Sequence, residues 1–288
     1  MPVNRNYKDS VFTRLFSDPD LLRELYCALG GVSLPPDIPV SINTLEKVLY
    51  MDLYNDISFE IAGKLVVLIE QQSTINPNMA LRLLLYIARV LEKTVKGKTL
   101  YSSKRLSIPW PEFYVLYNGQ KPYPDQQIFR LSELFEKPED LGLPKPVAPL
   151  LELEAHVINI NEGKNVDIVK RCKMLAEYSA FTAKARAFLE ELGNKEEAIK
   201  EAVKYCQKHA ILKGFLEIHG SEVLNMLLTE WNTEDAIAVR CEEAREDALE
   251  EKTLEIAQNL LNEGMKPEFI QKATGLDLGT IQKLNKAK

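Results

Sequence analysis

Residues 65–69 read Leu-Val-Val-Leu-Ile, a run apolar at every position that ends on a carboxylate, Glu70. Side chains alternate across a strand, so a strand can be apolar throughout only where both of its faces are covered. The run therefore predicts a central strand between layers of helix. It also places Glu70, Gln71 and Gln72 where that cover ends. An acid at the tip of a buried strand needs a positive side chain, a backbone donor or a metal ion beside it.

The rest of the chain supplies the covering layers. From Tyr7 to Leu29, apolar residues recur at helical spacing up to Gly30-Gly31, and Asp18-Pro19-Asp20 is a point at which that helix can divide. A proline-rich loop follows, then strand territory from Val48 to Gln72 with Gly63 in a turn. Asn78 to Lys96 predicts a helix, Phe113 to Tyr117 a strand stopped by the turn formers of "NGQKPYP", and Leu151 to Ile160 a further strand. Helices are expected over 166–192, 195–209, 211–228 and 234–263. The tail reads as two short helices joined at Gly275-Leu276-Asp277, like a helix-turn-helix hairpin. The expected class is α/β, a mixed sheet flanked by helices and followed by an all-helical C-terminal region. The expected divisions are 1–163, 164–230 and 231–288.

Composition narrows the function. Cys27, Cys172, Cys206 and Cys241 are far apart and form no CxxC pair, so buried thiols are expected. His156, His209 and His219 have no metal-ligand spacing, and His156 reads as a satisfied strand residue. No phosphate loop of the GxxxxGK type and no GxGxxG fingerprint is present. No secretory signal is visible, and Arg82 and Arg89 interrupt the longest apolar stretch, so a soluble, cytoplasmic protein without a membrane span is expected. The net charge is −6, but residues 230–263 carry 11 acidic and 3 basic residues, which leaves +2 for the remainder. Arg89 to Arg105 holds six basic residues and one acid, either a solvated surface or a footprint for phosphates.

Asp56 and Glu70 each lie seven residues from Gly63. A three-residue turn at Ala62-Gly63-Lys64 would set them opposite each other, with Cβ atoms ~4.5–5.5 Å apart. A two-residue turn would rotate Asp56 to the other face. Two carboxylates that close repel unless a cation joins them. A hard divalent ion suits them, with the backbone carbonyl of Gln71 as a third ligand and Gln72 beside bound water. Spacing alone also allows a turn cap at Asp56 and a solvated Glu70.

The segments "YKDSVFTRLFSDPDLLRELY", "NDISF", "LIEQQSTINPNMALRLLLYIARV", "PEFYVLYNGQKPYP" and "INEGKN" occur in order, and together they resemble the Rpn (recombination-promoting nuclease)/PD-(D/E)XK nuclease family. "KYCQKHAILKGFLEIHGSEVLNML" and the tail hairpin resemble the helical segments that follow in that family. The resemblance implies a restriction-endonuclease-like fold and cleavage of DNA with Mg²⁺, or with Mn²⁺ or Ca²⁺ in its place. It matches Asp56 to the first acid. It matches Glu70-Gln71-Gln72 to a Glu-x-Lys motif, with glutamine in the lysine position. Glutamine orients water by hydrogen bonds but brings no charge to a developing phosphorane, so slow cleavage is expected. Arg82 and Tyr86 match family positions on one helix face, either beside the scissile phosphate or as a core-edge arginine bonded to Glu70 or a carbonyl. Asp9 matches an acid of the opening helix, either reaching the metal or stabilised by the helix dipole. Tyr117-Asn118-Gly119 reads as a turn at the rim of the site. The implied partner is DNA, with a homo-oligomer through the helical C-terminal region as a further expectation. The alternative is a catalytically weak or inactive DNA-binding or assembly protein on a nuclease scaffold. The tail lacks a basic recognition helix, so a packing role for the hairpin stays open.

Overall fold

The computed structural model describes residues 10–42, 57–63, 65–95, 100–144 and 148–286. The first predicted helix is indeed two. α1 (Val11–Leu15) is capped by Ser10, whose hydroxyl accepts from Thr13 N at 3.0 Å. α2 (Pro19–Gly30) is capped by the Asp18 carboxylate, which accepts from Asp20 N at 2.7 Å. Proline at the first helical position has no N–H to leave unsatisfied, which is why the chain breaks there. Gly31, at φ 63°, ends α2 in the left-handed region that glycine adopts without strain.

One mixed sheet forms the centre. Its strands are β1 (Val40–Ile42), β2 (Ile57–Ile61), β3 (Leu65–Gln72), β4 (Trp110–Tyr117), β5 (Gln126–Arg130) and β6 (Glu154–Asn159), in the order β1-β2-β3-β4-β6-β5. The β3–β4 and β4–β6 pairs are parallel and the others antiparallel. The mixed α/β class is as expected. The edge strands β1 and β5 are additions. β1 is three residues long after a proline run, and β5 is exposed over Gln126 and Gln127, so neither carries a periodic apolar signal.

Both faces of the sheet are covered. On one side α3 (Met79–Thr94) sets Leu83, Tyr86, Ile87 and Val90 against Val115, Tyr117 and Val157. On the other, Val67 and Ile69 are fully buried, and the Tyr26 ring of α2 meets Phe59 edge-on at 6.5 Å.

The chain forms two compact units, residues 1–228 and 229–288. The first continues past the sheet through α4 (Val166–Arg171), α5 (Lys173–Leu192) and α6 (Lys195–Lys208). The single helix predicted over 166–192 is interrupted at Cys172, whose backbone is extended. α7 (Lys213–Asn262) spans residues predicted as two helices and contributes to both units. In the second unit, α8 (Pro267–Thr274) and α9 (Leu278–Lys286) close a small core of Ala257, Ile270 and Ile281, rimmed by Leu260, Leu261, Leu276 and Leu284. Cys172 and Cys206 are buried, and burial pushes their thiols up to about 12 and about 11. His156, by contrast, is exposed on β6, its ring 6.0 Å from that of Tyr114. Among the described residues, no helix is long and apolar enough to cross a membrane.

Candidate active site

The β2–β3 hairpin decides which side chains can meet. Ile61 pairs with Leu65 and Ile57 with Ile69, so three residues, 62–64, make the turn. Ala62 and Gly63 take φ of 52° and 63°, and Ala62 N donates to the carbonyl of Pro39 at 2.9 Å. This is the register that the three-residue turn predicts. Asp9 and Asp56 lie outside the described residues. The backbone of Glu70 sits in β3 opposite Val115, and its side chain is likewise outside the description.

The parallel β3–β4 pair fixes the faces. Gln72 is opposite Tyr117, and Val115 and Tyr117 both belong to the α3 core. Positions 70 and 72 of β3 therefore share the face that α3 covers, and position 71 takes the other. Gln72 Nε2 lies 3.0 Å from Sδ of Met79 in the first turn of α3. Arg82 Nη1 lies 3.5 Å from the same sulfur, and Arg82 Nη2 donates to the Tyr86 hydroxyl at 2.9 Å. Gln72, Arg82 and Tyr86 are thus drawn into one cluster around a thioether. A thioether is a weak acceptor, so it holds the amide nitrogen of Gln72 lightly and leaves Oε1 to accept from another group. Tyr86 is 1% exposed, which turns the hydroxyl into a fixed post for the guanidinium. Met79 reads in sequence only as an apolar helix position, and nothing in the pattern marks its sulfur as the link.

The strand end beside Gln72 is more constrained than a turn signal implies. Asn118 N donates to the Gln72 carbonyl at 2.9 Å, which carries the β3–β4 ladder one residue further. Asn118 is buried, its Nδ2 donates to the Tyr178 hydroxyl at 3.3 Å, and its Oδ1 has no partner among the described residues. A Cβ on Gly119 would stand 1.9 Å from the carbonyl oxygen of Ser73, so only glycine fits. The Tyr117 hydroxyl donates to the Lys121 carbonyl at 2.8 Å, and its ring lies 4.6 Å from that of Tyr123. Burial raises the Tyr117 phenol, and the charge of Arg186 works against that rise.

Among the described residues, no three His, Cys, Asp or Glu side chains group as a metal site. The molecule is a mixed α/β protein with a polar cluster at the open end of its central strand. Residues 43–185 match the family model described as "Putative transposase, YhgA-like", which spans Asp56, Glu70, Gln72, Arg82 and Tyr86. Residues 250–286 match the model for the Rpn/YhgA-like nuclease family, C-terminal HTH domain, which covers the end of α7 with α8 and α9. The chain belongs to the Rpn/YhgA-like nuclease family. No curated protein and no solved structure matches it.

Proposed function

We propose that this protein is a Mg²⁺-dependent DNA endonuclease that hydrolyses phosphodiesters at the open end of the β2–β3 hairpin. The observation that carries this reading is the hairpin register, Ile57 opposite Ile69, inside the family match. Continued by one step, that register would set position 56 opposite position 70, as the sequence spacing expects. Two carboxylates and a backbone carbonyl are hard oxygen donors, which suits Mg²⁺. Asp56, Glu70 and the Gln71 carbonyl would hold it. Bound there, the ion supplies polarisation of a phosphoryl oxygen and a lower pKa for water.

The remaining roles belong to the chain itself. Gln72, with its amide nitrogen beside Met79, accepts from the attacking water or orients the phosphate through Oε1. Arg82, braced by Tyr86, brings positive charge to the phosphate. Asp9, matched by the family resemblance, would supply an additional acid for the same centre. Gln72 stands where the wider PD-(D/E)XK pattern has lysine and brings no charge to the phosphate, so turnover is slow. The HTH tail adds a second contact to duplex DNA, with Lys283 exposed on α9.

That tail, together with Gln72, also favours a second reading, a DNA-binding protein that does not cut. Asp56→Asn and Glu70→Gln variants separate the two. Under the nuclease reading both retain a duplex oligonucleotide as tightly as the wild type and leave plasmid uncut under conditions where the wild type nicks it. Equal plasmid integrity for wild type and variants with every divalent ion would favour binding alone.

A further inference from the structure

The carboxyl ends of β4 and β6 open onto a groove that the proposed hydrolysis does not use. It has a volume of about 500 Å³ and lies between the loop 119–123, the loop 159–164 and one face of α5. In sheets with parallel strands, ligands collect at carboxyl ends of this kind. The groove also adjoins the proposed centre, since its wall at Gly119 is packed on the carbonyl of Ser73, the residue after Gln72.

Two of the three cations that line it have no carboxylate partner among the described residues. Among the described residues, no acidic group lies within 4.0 Å of the Arg186 guanidinium or the Lys121 ammonium, whereas Lys164 on the same rim is paired with Asp125 at 3.0 Å. Arg186 is half-buried on α5, and its Nη1 donates to Oδ1 of Asn161 at 3.1 Å. The Asn161 amide nitrogen donates to the Gly119 carbonyl at 2.9 Å and to Asn159 Oδ1 at 3.0 Å. With its N–H groups committed, Asn161 can only turn its oxygen to Arg186. A neutral amide therefore aims the guanidinium and leaves its charge uncompensated and most of its donor fork unused. Partly burying such a charge is costly unless an anion completes it, and the planar fork matches a phosphate. Lys121 is exposed, but its backbone is tied down by the Tyr117 hydroxyl. Glu162 and Glu190 also line the groove, so it is not a broad positive field. It offers point contacts for one or two phosphates.

We infer that Arg186 and Lys121 grip the phosphodiester backbone of DNA next to the linkage presented to Glu70 and Gln72. This deepens the nuclease reading and rests on it for the identity of the phosphate. The test is fluorescence anisotropy of a labelled duplex oligonucleotide with the full-length protein in chelator, across a salt series. Arg186→Ala with Lys121→Ala should weaken binding at least roughly tenfold near 0.1 M salt. It should also flatten the plot of log affinity against log salt by about 1.8, near 0.9 per lost phosphate. Lys121→Ala alone, a change at an exposed position, should remove about half of that slope, and Arg186→Lys should keep the slope because it keeps the charge. A purely structural Arg186 would instead lower the melting temperature and leave the slope intact, which overturns the inference. So would binding of inorganic phosphate alone that is lost in Arg186→Ala while the DNA slope is unchanged. Failure of the nuclease reading looks different, since the slope change would then appear in a protein that never nicks plasmid. A wild type that does not bind DNA sinks both.

Discussion

At the scale of single residues, Gly119 shows how a position can be read correctly and still be underestimated. Asn118-Gly119 signals a turn in any sequence. That the turn presses its α-carbon against the Ser73 carbonyl depends on β3 and β4 ending side by side, which no local pattern encodes. Gly119→Ala should cost at least ~2 kcal/mol, because a backbone atom must move to admit the methyl group; urea unfolding at two wavelengths measures it. The carboxylate of Glu112 makes a second prediction. It accepts from the hydroxyls of Tyr26 at 3.3 Å and Tyr114 at 3.0 Å. Burial, then the charge of Glu112, raises Tyr26 from 10.0 to about 12. The fold therefore prefers the neutral phenol. That preference is fully present below pH 10, and stability is lost as pH rises from 10 to 12. Urea midpoints across this window should fall for the wild type and fall less for Tyr26→Phe. Gln72 was legible as a candidate from strand alternation, Arg82 and Tyr86 from the family resemblance, and the structure brings those three together. Met79 was not, because a thioether contact leaves no signature in an apolar stripe.

At the scale of elements, the β2–β3 hairpin is where sequence reading went furthest. An all-apolar strand, a glycine and equal spacing to two acids left a choice between a three-residue and a two-residue turn, and the pairing of Ile61 with Leu65 selects the first. The turn carries a cost that composition does not reveal, because Ala62 sits at φ 52°, where a Cβ is strained. Ala62→Gly should raise stability by about 0.5–1 kcal/mol, the relief of strain outweighing the added freedom of the unfolded chain. A lower urea midpoint would mean that the backbone at 62 is not strained. Edge strands β1 and β5 were missed for a physical reason. An edge strand pairs on one side only and buries little, so its residues need not alternate. The interruption at Cys172 was equally silent, since neither proline nor glycine marks it.

At the scale of the whole molecule, the two compact units differ in how much holds them. The first has a sheet covered on both faces, while the second rests on Ala257, Ile270 and Ile281. Ile270→Ala removes a fully buried side chain and should cost the second unit ~2–5 kcal/mol. A small three-helix unit cannot absorb that loss, so its helical signal should melt early in circular dichroism while the main transition stays in place. A single transition shifted as one would show that the units unfold together. The chemistry proposed for the first unit is tested most directly by incubating supercoiled plasmid with the purified full-length protein, in Mg²⁺ or in chelator, beside Asp56→Ala and Glu70→Ala. Nicking that requires Mg²⁺ and vanishes in both variants is the predicted result. Nicking that survives in either variant, or that proceeds in chelator, would contradict the assignment of Asp56 and Glu70.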